Sequence, residues 1–377
     1  MRYKKIKVLH VLSYLGGGGV ETLLLDLQER IPEHIAFDYL VAHPEFRDKE
    51  AQARGSIVHV IPPATQSPTL WATLVGQLVR DYHYNVVHFH RFAFSGSVLK
   101  AAKQAGAVGR IAHRHGMYSE ETFLKKLLYY PYHWVINRWL LLQHATHIIG
   151  CSSDALRLYM GPFATHPKCQ IILNGIPIES FAKKIGATPK AELCQRYGIP
   201  ANVHVVGTFG RLEPVKNHEF LLRVFDHLAG TPTALFIGGE GQLRTKLEQQ
   251  RNQLDTRDRI FMPGHCANVP ELLGNLFDCF VLPSKTEGLP VSMIEAIAAG
   301  LYVVCTDAIT KDVAKAFPDR VTMLPLSAPL ARWAEAIENA IQKRISPEQG
   351  LELVRNSQMT FNHFTEEMIK IYETLGK

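Results

Sequence analysis

Two glutamates with seven residues between them, Glu287 and Glu295, stand in the stretch SKTEGLPVSMIEAIAAG, Ser284 to Gly300. The first lies in a Gly-Pro turn and the second inside an apolar run. A carboxylate is a bidentate acceptor, suited to the paired hydroxyls of a ribose or a sugar. Gly288, Leu289 and Pro290 follow Glu287, and proline is preorganised for a first helical turn. The N–H groups opening that helix can receive phosphate, and Gly300 can end it. The spacing therefore predicts two carboxylates reading two sugars on either side of a phosphate. Upstream, TFGRLEPVKNHEF places Arg211 and Lys216 beside a helix start, where two cations suit a diphosphate. A solvated basic loop reads equally well there.

Other stretches offer weaker chemistry. In LFIGGEGQLR, Gly238, Gly239 and Gly241 could bring backbone close to a base or ribose, or form a tight turn with Glu240 as a cap. In YLGGGGVETLLLDL, four glycines precede a helix, a suitable anion contact. Their order is not G-x-G-x-x-G, which weakens a dinucleotide reading. Two H-x-H pairs, His88/His90 and His113/His115, could converge from neighbouring strand ends. No carboxylate or cysteine joins them at metal spacing, and no D-x-D stretch exists, so no metal or cofactor is expected.

The elements that must position these residues are short apolar strands alternating with longer helical patterns. KVLHVLSYL, FDYLVAH, SIVHVIP, NVVHFHR, RIAHRHG and HIIGCSS form one strand set. After NGIPIESFAKKIGATPK the alternation restarts with NVHVVGTFGRL, TALFIGGEG, RIFMPGH, DCFVLPS and LYVVCTD. Fully apolar strands between amphipathic helices mean parallel sheets covered on both faces. The expected fold class is α/β, with two doubly wound Rossmann-like domains and a cleft between them. The expected division is 1–178, joined by a C-terminal helix over 358–377, and 179–357. Ligands of such sheets bind beyond the carboxyl ends of the strands, where all the residues above fall.

A length of 377 residues suits two domains. Six cysteines without a C-x-x-C pair argue against a disulfide framework or structural zinc. The formal charge of +6 fits acidic small substrates or an anionic membrane surface; no basic stripe with interleaved aromatics supports nucleic acid. The basic and then apolar start lacks a small-residue cleavage site and reads as a first strand. No apolar run approaches the roughly 20 residues that span a bilayer. A cytoplasmic location is expected, with peripheral contact to the inner face of the membrane.

The glutamate pair, the N-terminal glycine run, RIAHRHG, NGI, GRLEPVKNHEFLL and IGGEGQLR together resemble the E-x7-E retaining glycosyltransferases of family 4, which have the GT-B fold. The resemblance covers nearly the whole chain and is similar to bacterial enzymes of capsular and exopolysaccharide synthesis. It implies transfer of a sugar from a nucleotide-diphosphate sugar, a UDP-sugar first among them, to a glycan hydroxyl on a lipid-linked oligosaccharide. It implies that Arg211 and Lys216 bind the donor diphosphate and that Glu295 binds the ribose. Glu287 is implied against the donor sugar, with Gly288, Leu289 and Pro290 around it and Gly239 and Glu240 nearby. Gly17 and Gly18 match a loop near the distal phosphate and acceptor, and His115 a histidine near the reaction centre, with His113 as the competing choice. Pro177 stands where the usual NGID motif has its aspartate, and GGxE is extended by one glycine. A sugar-nucleotide epimerase of the same fold, or a silent nucleotide-sugar-binding partner, is the alternative. Residues 122–143, with Lys125, Lys126 and Arg138 among Leu, Tyr and Trp, read either as a pair of packed helices around Pro131 or as a segment that docks on anionic membrane.

Overall fold

The computed structural model describes residues 5–61, 67–90, 94–116 and 132–376. Two compact units emerge, one running to Leu173 and resuming at His363, the other comprising Asn174–Asn362.

The first unit holds a seven-stranded sheet of β1 (Ile6–Val11), β2 (Ile35–Val41), β3 (Val58–Val60), β4 (Val86–Phe89), β5 (Gly109–Arg114), β6 (His147–Gly150) and β7 (Cys169–Ile171), in the order β3-β2-β1-β4-β5-β6-β7. All its pairings are parallel. Alternation along the strands divides its two faces. Leu9, Val11, Val87, Phe89 and Ala112 join Trp71, Val75, Val98 and Leu99 in one apolar core. The opposite face carries Val8, His10, Val86, His88, Ile111 and His113, all buried. The helix Phe361–Leu375 supplies Tyr372 to this second face, in edge contact with Phe37.

The second unit holds β8 (His204–Phe209), β9 (Thr233–Gly238), β10 (Ile260–Gly264), β11 (Cys279–Leu282), β12 (Tyr302–Thr306) and β13 (Val321–Leu324), in the order β10-β9-β8-β11-β12-β13. These strands are also parallel throughout. Val206, Leu235, Ile237, Cys279, Val281 and Val304 pack on Leu221, Phe225, Trp333 and Ile337 of the covering helices.

Strand order reverses at β1/β4 in the first sheet and at β8/β11 in the second. Loops leave such neighbouring strands in opposite directions and open a crevice at the carboxyl ends, the usual ligand position in open α/β sheets. The Gly16–Gly19 run and His90 follow β1 and β4; the Arg211–Lys216 loop and Glu287 follow β8 and β11.

The edge strands β7 and β13 were not legible as strands. Both are short and largely half-exposed, so they lack the continuous apolar signature of the central strands. Arg138 corrects the basic face read over 122–143. It is 2% exposed, with Nε donating to the Tyr159 carbonyl at 2.9 Å and Nη2 to that of Leu158 at 2.9 Å. A guanidinium with such backbone acceptors can be buried, and it cannot then face a membrane. Lys125 and Lys126 lie outside the described residues. Among the described residues no helix is long and apolar enough to cross a membrane.

Candidate functional site

In the second unit the loops after β8, β9 and β10 are laced by backbone hydrogen bonds. Gly210 N–H donates to Gly238 O, Leu212 N–H to Glu240 O and Gly239 N–H to Gly264 O, at 3.0, 2.8 and 2.8 Å. Gly239 has φ +136°, and a Cβ there would stand 2.0 Å from Gly210 O. A Cβ on Gly241 would meet Leu212 N and O at 2.7 Å. The chain's own close approach therefore requires these glycines, but Glu240 does not cap the following helix, whose N-cap is Leu243. Glu240 is exposed, with Arg244 Nη1 at 3.5 Å.

The loops after β8 and β11 are fastened to each other as well. Lys285 N–H donates to Val215 O at 2.8 Å. Asn217 adopts φ +58°, which asparagine tolerates, and its Nδ2 donates to Pro283 O at 3.1 Å. This brings Lys216 Nζ to 2.6 Å from Glu287 Oε1, which also accepts from Ser284 Oγ at 2.8 Å. Glu287 Oε2 has no hydrogen-bond partner among the described residues. The Lys216 and Glu287 side chains are 22% and 16% exposed. Arg211 differs: its side chain is 73% exposed, and Nη1 bonds Glu213 Oε1 at 2.7 Å. The structure therefore joins Lys216 to Glu287 and leaves Arg211 on its own loop, held by an acid next but one in sequence.

Helix Val291–Ala298 opens with Pro290 as its N-cap, one place earlier than a first-turn proline. Gly288, Leu289 and Pro290 are buried, and the N–H groups of Gly288 and Leu289 make no hydrogen bond among the described residues. Gly300 closes the helix at φ +85°. Glu295 is half-buried between Ile294 and Ala296, and its carboxylate makes no hydrogen bond among the described residues. Burial pushes its carboxyl up to about 7, against the pull of the Lys184 cation on helix Ile178–Ile185. A surface glutamate would not be so displaced.

The first unit assembles a different chemistry. His10 of β1 is in register with His88 of β4. His90 lies just past β4, His113 is within β5 and His115 just past it. His10 Nδ1 meets His90 Nε2 at 2.9 Å, and His90 Nδ1 meets His115 Nε2 at 2.9 Å. His88 Nδ1 meets Tyr372 Oη at 2.8 Å. Both nitrogens of His113, Nε2 of His10 and His88, and Nδ1 of His115 are buried without a partner among the described residues. Burial holds all five imidazoles below their ordinary range, His10 and His115 at about 3; His115 lowers His10 further, and Arg114 lowers His115. All five are neutral at physiological pH. His10, His88 and His90, and again His90, His113 and His115, each bring three nitrogens within 4.8 Å of one another. A divalent cation there would find imidazoles alone, with no carboxylate in either group to offset its charge.

Gly17 is exposed, and Gly18 is the N-cap of helix Gly19–Gln28. Neither has positive φ, and a Cβ on Gly17 would make only ordinary contact, 3.7 Å from Phe46. At Gly18 it would meet the flexible end of Glu21.

Sequence reasoning missed His10, Ser284, Lys184, Glu213 and Asn217. His10 alone carried a signal, a histidine inside the apolar strand VLHVL. The others become relevant only once loops and helices distant in sequence are placed together.

The family model described as "Glycosyl transferases group 1" matches residues 189–351, and that described as "Glycosyltransferase Family 4" matches 17–180. The "Putative glycosyltransferase EpsF" of Bacillus subtilis is 32% identical over 353 residues, 90% of this chain and 89% of that protein. An Escherichia coli "UDP-Gal:alpha-D-GlcNAc-diphosphoundecaprenol alpha-1,3-galactosyltransferase" is 28% identical over 238 residues, 60% of this chain and 58% of that one. Among solved structures, Anabaena Alr3699/HepE in complex with UDP superposes with a TM-score of 0.78 at 18% identity, covering 97% of this chain and 99% of that one. This last likeness shows the GT-B fold.

Proposed function

The chain belongs to the family 4 glycosyltransferases, with a second half of the group 1 type, and on that premise we propose that it transfers a sugar from a UDP-sugar to a hydroxyl of a lipid-linked oligosaccharide with retention of configuration. The observation that carries the reading is the Lys216–Glu287 pair at the β8/β11 reversal, beside the unpartnered N–H groups of Gly288 and Leu289. A cation, open backbone donors and a carboxylate with a spare oxygen are what a sugar diphosphate needs.

As the bond from the anomeric carbon to the diphosphate oxygen breaks, negative charge grows on the leaving group. Lys216, Arg211 and the N–H groups at the helix start stabilise that charge, and groups worth most in the transition state raise turnover. Arg211 is free to leave Glu213, since an exposed pair of this kind contributes little. The departing phosphate oxygen takes the acceptor proton on the same face, so no enzymic nucleophile is needed. Glu287 receives sugar hydroxyls and Glu295 the ribose hydroxyls. His115, with His113 behind it in β5, and the open loop at Gly17 and Gly18 serve the sugar and acceptor. Because side chains neutralise the diphosphate, transfer requires no added metal ion.

The choice of donor and acceptor draws on the relatives: UDP is bound in the Anabaena structure, and the E. coli relative's name contains a UDP-sugar and a diphosphoundecaprenol carrier. Val135, Ile136 and Trp139 are exposed, at 70%, 48% and 58%. Apolar and aromatic side chains in that pattern suit reversible contact with a membrane surface that carries the acceptor.

The test is incubation of the purified protein with UDP-, GDP- and ADP-sugars, with and without lipid-linked acceptor, in EDTA. Acceptor-dependent transfer from a UDP-sugar is expected. A modified free sugar nucleotide formed without acceptor would indicate an epimerase, binding without turnover a silent subunit, and activity restored only by a divalent cation would remove the side-chain clamp.

A further inference from the structure

The three histidines joined by hydrogen bonds impose a rule on one another. A neutral imidazole has one N–H and one lone pair. His10 Nδ1 meets His90 Nε2, and His90 Nδ1 meets His115 Nε2, both at 2.9 Å. If His90 donates from Nδ1, it must accept at Nε2, so His10 also carries its proton on Nδ1, as does His115. If His90 donates from Nε2, all three carry it on Nε2. A mixed arrangement sets two lone pairs or two protons against each other at 2.9 Å.

The surroundings select between the two. In the Nδ1–H arrangement, His115 Nδ1 becomes a buried donor without an acceptor among the described residues, an expensive group to leave unsatisfied. In the Nε2–H arrangement the unpaired N–H sits on His10, among aromatic rings. Phe37 meets the His10 ring edge-on with centroids 4.3 Å apart, and Tyr372 meets it at 90° and 6.3 Å. Aromatic faces accept N–H groups weakly. The other end of the chain is then a bare lone pair on His115 Nδ1, an acceptor for a hydroxyl.

We propose that His10 and His90 are positioning residues that lock His115 in the Nε2–H tautomer and so present its Nδ1 as a hydrogen-bond acceptor to a substrate hydroxyl. The positioning role rests on the reading of His115 as a substrate contact; the tautomer lock does not. The same wiring explains why a histidine belongs at position 10, two bonds away from the residue it controls and wholly buried. A residue that only filled space there would be apolar, like Val8 and Val11 on the same strand.

Selective 15N labelling of histidine and long-range 1H–15N correlation on the unsubstituted protein read each ring's tautomer directly. His10, His90 and His115, assigned by single substitutions, should show Nε2–H. Averaged tautomers, Nδ1–H on His115, or an equivalent of tightly held transition metal occupying the lone pairs would overturn the lock. Kinetics then test the role. His10→Phe should lower kcat about tenfold, the worth of one neutral hydrogen bond, with KM for the donor little changed. His10→Asn, which keeps a polar atom near the place of Nδ1, should recover most of that loss. Unchanged kcat in His10→Phe overturns the positioning role. So does unchanged transfer in His115→Ala, but that result strikes the site reading and leaves the lock intact.

Discussion

The two sheets carry their ligand-side residues at equivalent places, the strand-order reversals, yet furnish them with opposite chemistry. Beyond β8 and β11 stand charges, Arg211, Lys216 and Glu287, held by short pairs at partly open positions. Within and just past β1, β4 and β5 stand neutral imidazoles bonded to one another, His10 buried and His90 and His115 partly so. The glycines differ in the same sense. Gly239 and Gly241 are required by contacts within the chain, whereas Gly17 meets nothing that a methyl group would disturb. The contrast separates two tasks. On the proposed function, one region would face a ligand whose charge changes during reaction and answer with charge; the other would face uncharged hydroxyls and answer with fixed donors and acceptors.

Removing charge gives the largest expected effect. Lys216→Ala or Arg211→Ala should lower kcat by about 100-fold or more, as for loss of a group that stabilises developing oxyanion charge, with the thermal midpoint nearly unchanged. Near-normal turnover in either would dissolve the contrast. Next comes the pH response of Glu295. Its carboxyl is raised from 4.5 to about 7, so the folded protein holds the proton more tightly than the unfolded chain. Its contribution to stability is full below about 4.5 and is lost as pH rises toward 7. Ribose hydroxyls favour the ionised form, so UDP affinity should rise about tenfold between about pH 6 and 8. Titration calorimetry with Glu295→Gln checks this; a slope that survives the substitution belongs to another group.

On the neutral side the effect is smaller. His115→Ala should cost about tenfold in transfer, one neutral hydrogen bond, and its loss should not change with salt, unlike that of Arg211→Ala. The smallest test concerns the glycines. Gly239→Ala should lower stability by about 1–3 kcal/mol, since it strains a backbone at positive φ. Gly17→Ala should shift it by less than about 0.5 kcal/mol while impairing transfer. Equal midpoints for the two variants, by calorimetry, would remove that part of the comparison.

The sequence disclosed the charged region better than the neutral one, and the reason is physical. Glu287, Gly288, Leu289, Pro290 and Glu295 lie within nine residues on one turn and one helix, so local spacing carries their arrangement. Central strands were legible because burial on both faces leaves an unbroken apolar run. The half-exposed edges β7 and β13 leave none. The histidine chain depends on register among β1, β4 and β5, which joins residues 80 and 25 apart. No local pattern encodes that. Arg138 was misjudged for a similar reason: the carbonyls of Leu158 and Tyr159 that allow its burial belong to a helix about twenty residues on.

Tyr372, which caps His88 from the helix Phe361–Leu375, has a consequence for biosynthesis. The unit over Asn174–Asn362 is one continuous stretch of chain, so a ribosome delivers it whole. The other unit begins first and closes last. Its histidine face stays uncovered until residue 372 has been translated and has left the exit tunnel, long after the other unit's strands are complete. Domains generally fold as units during synthesis, so the later-encoded unit can mature before the earlier one. A nascent chain stalled before Tyr372 would hold a finished six-stranded sheet and a seven-stranded sheet still waiting for its last helix.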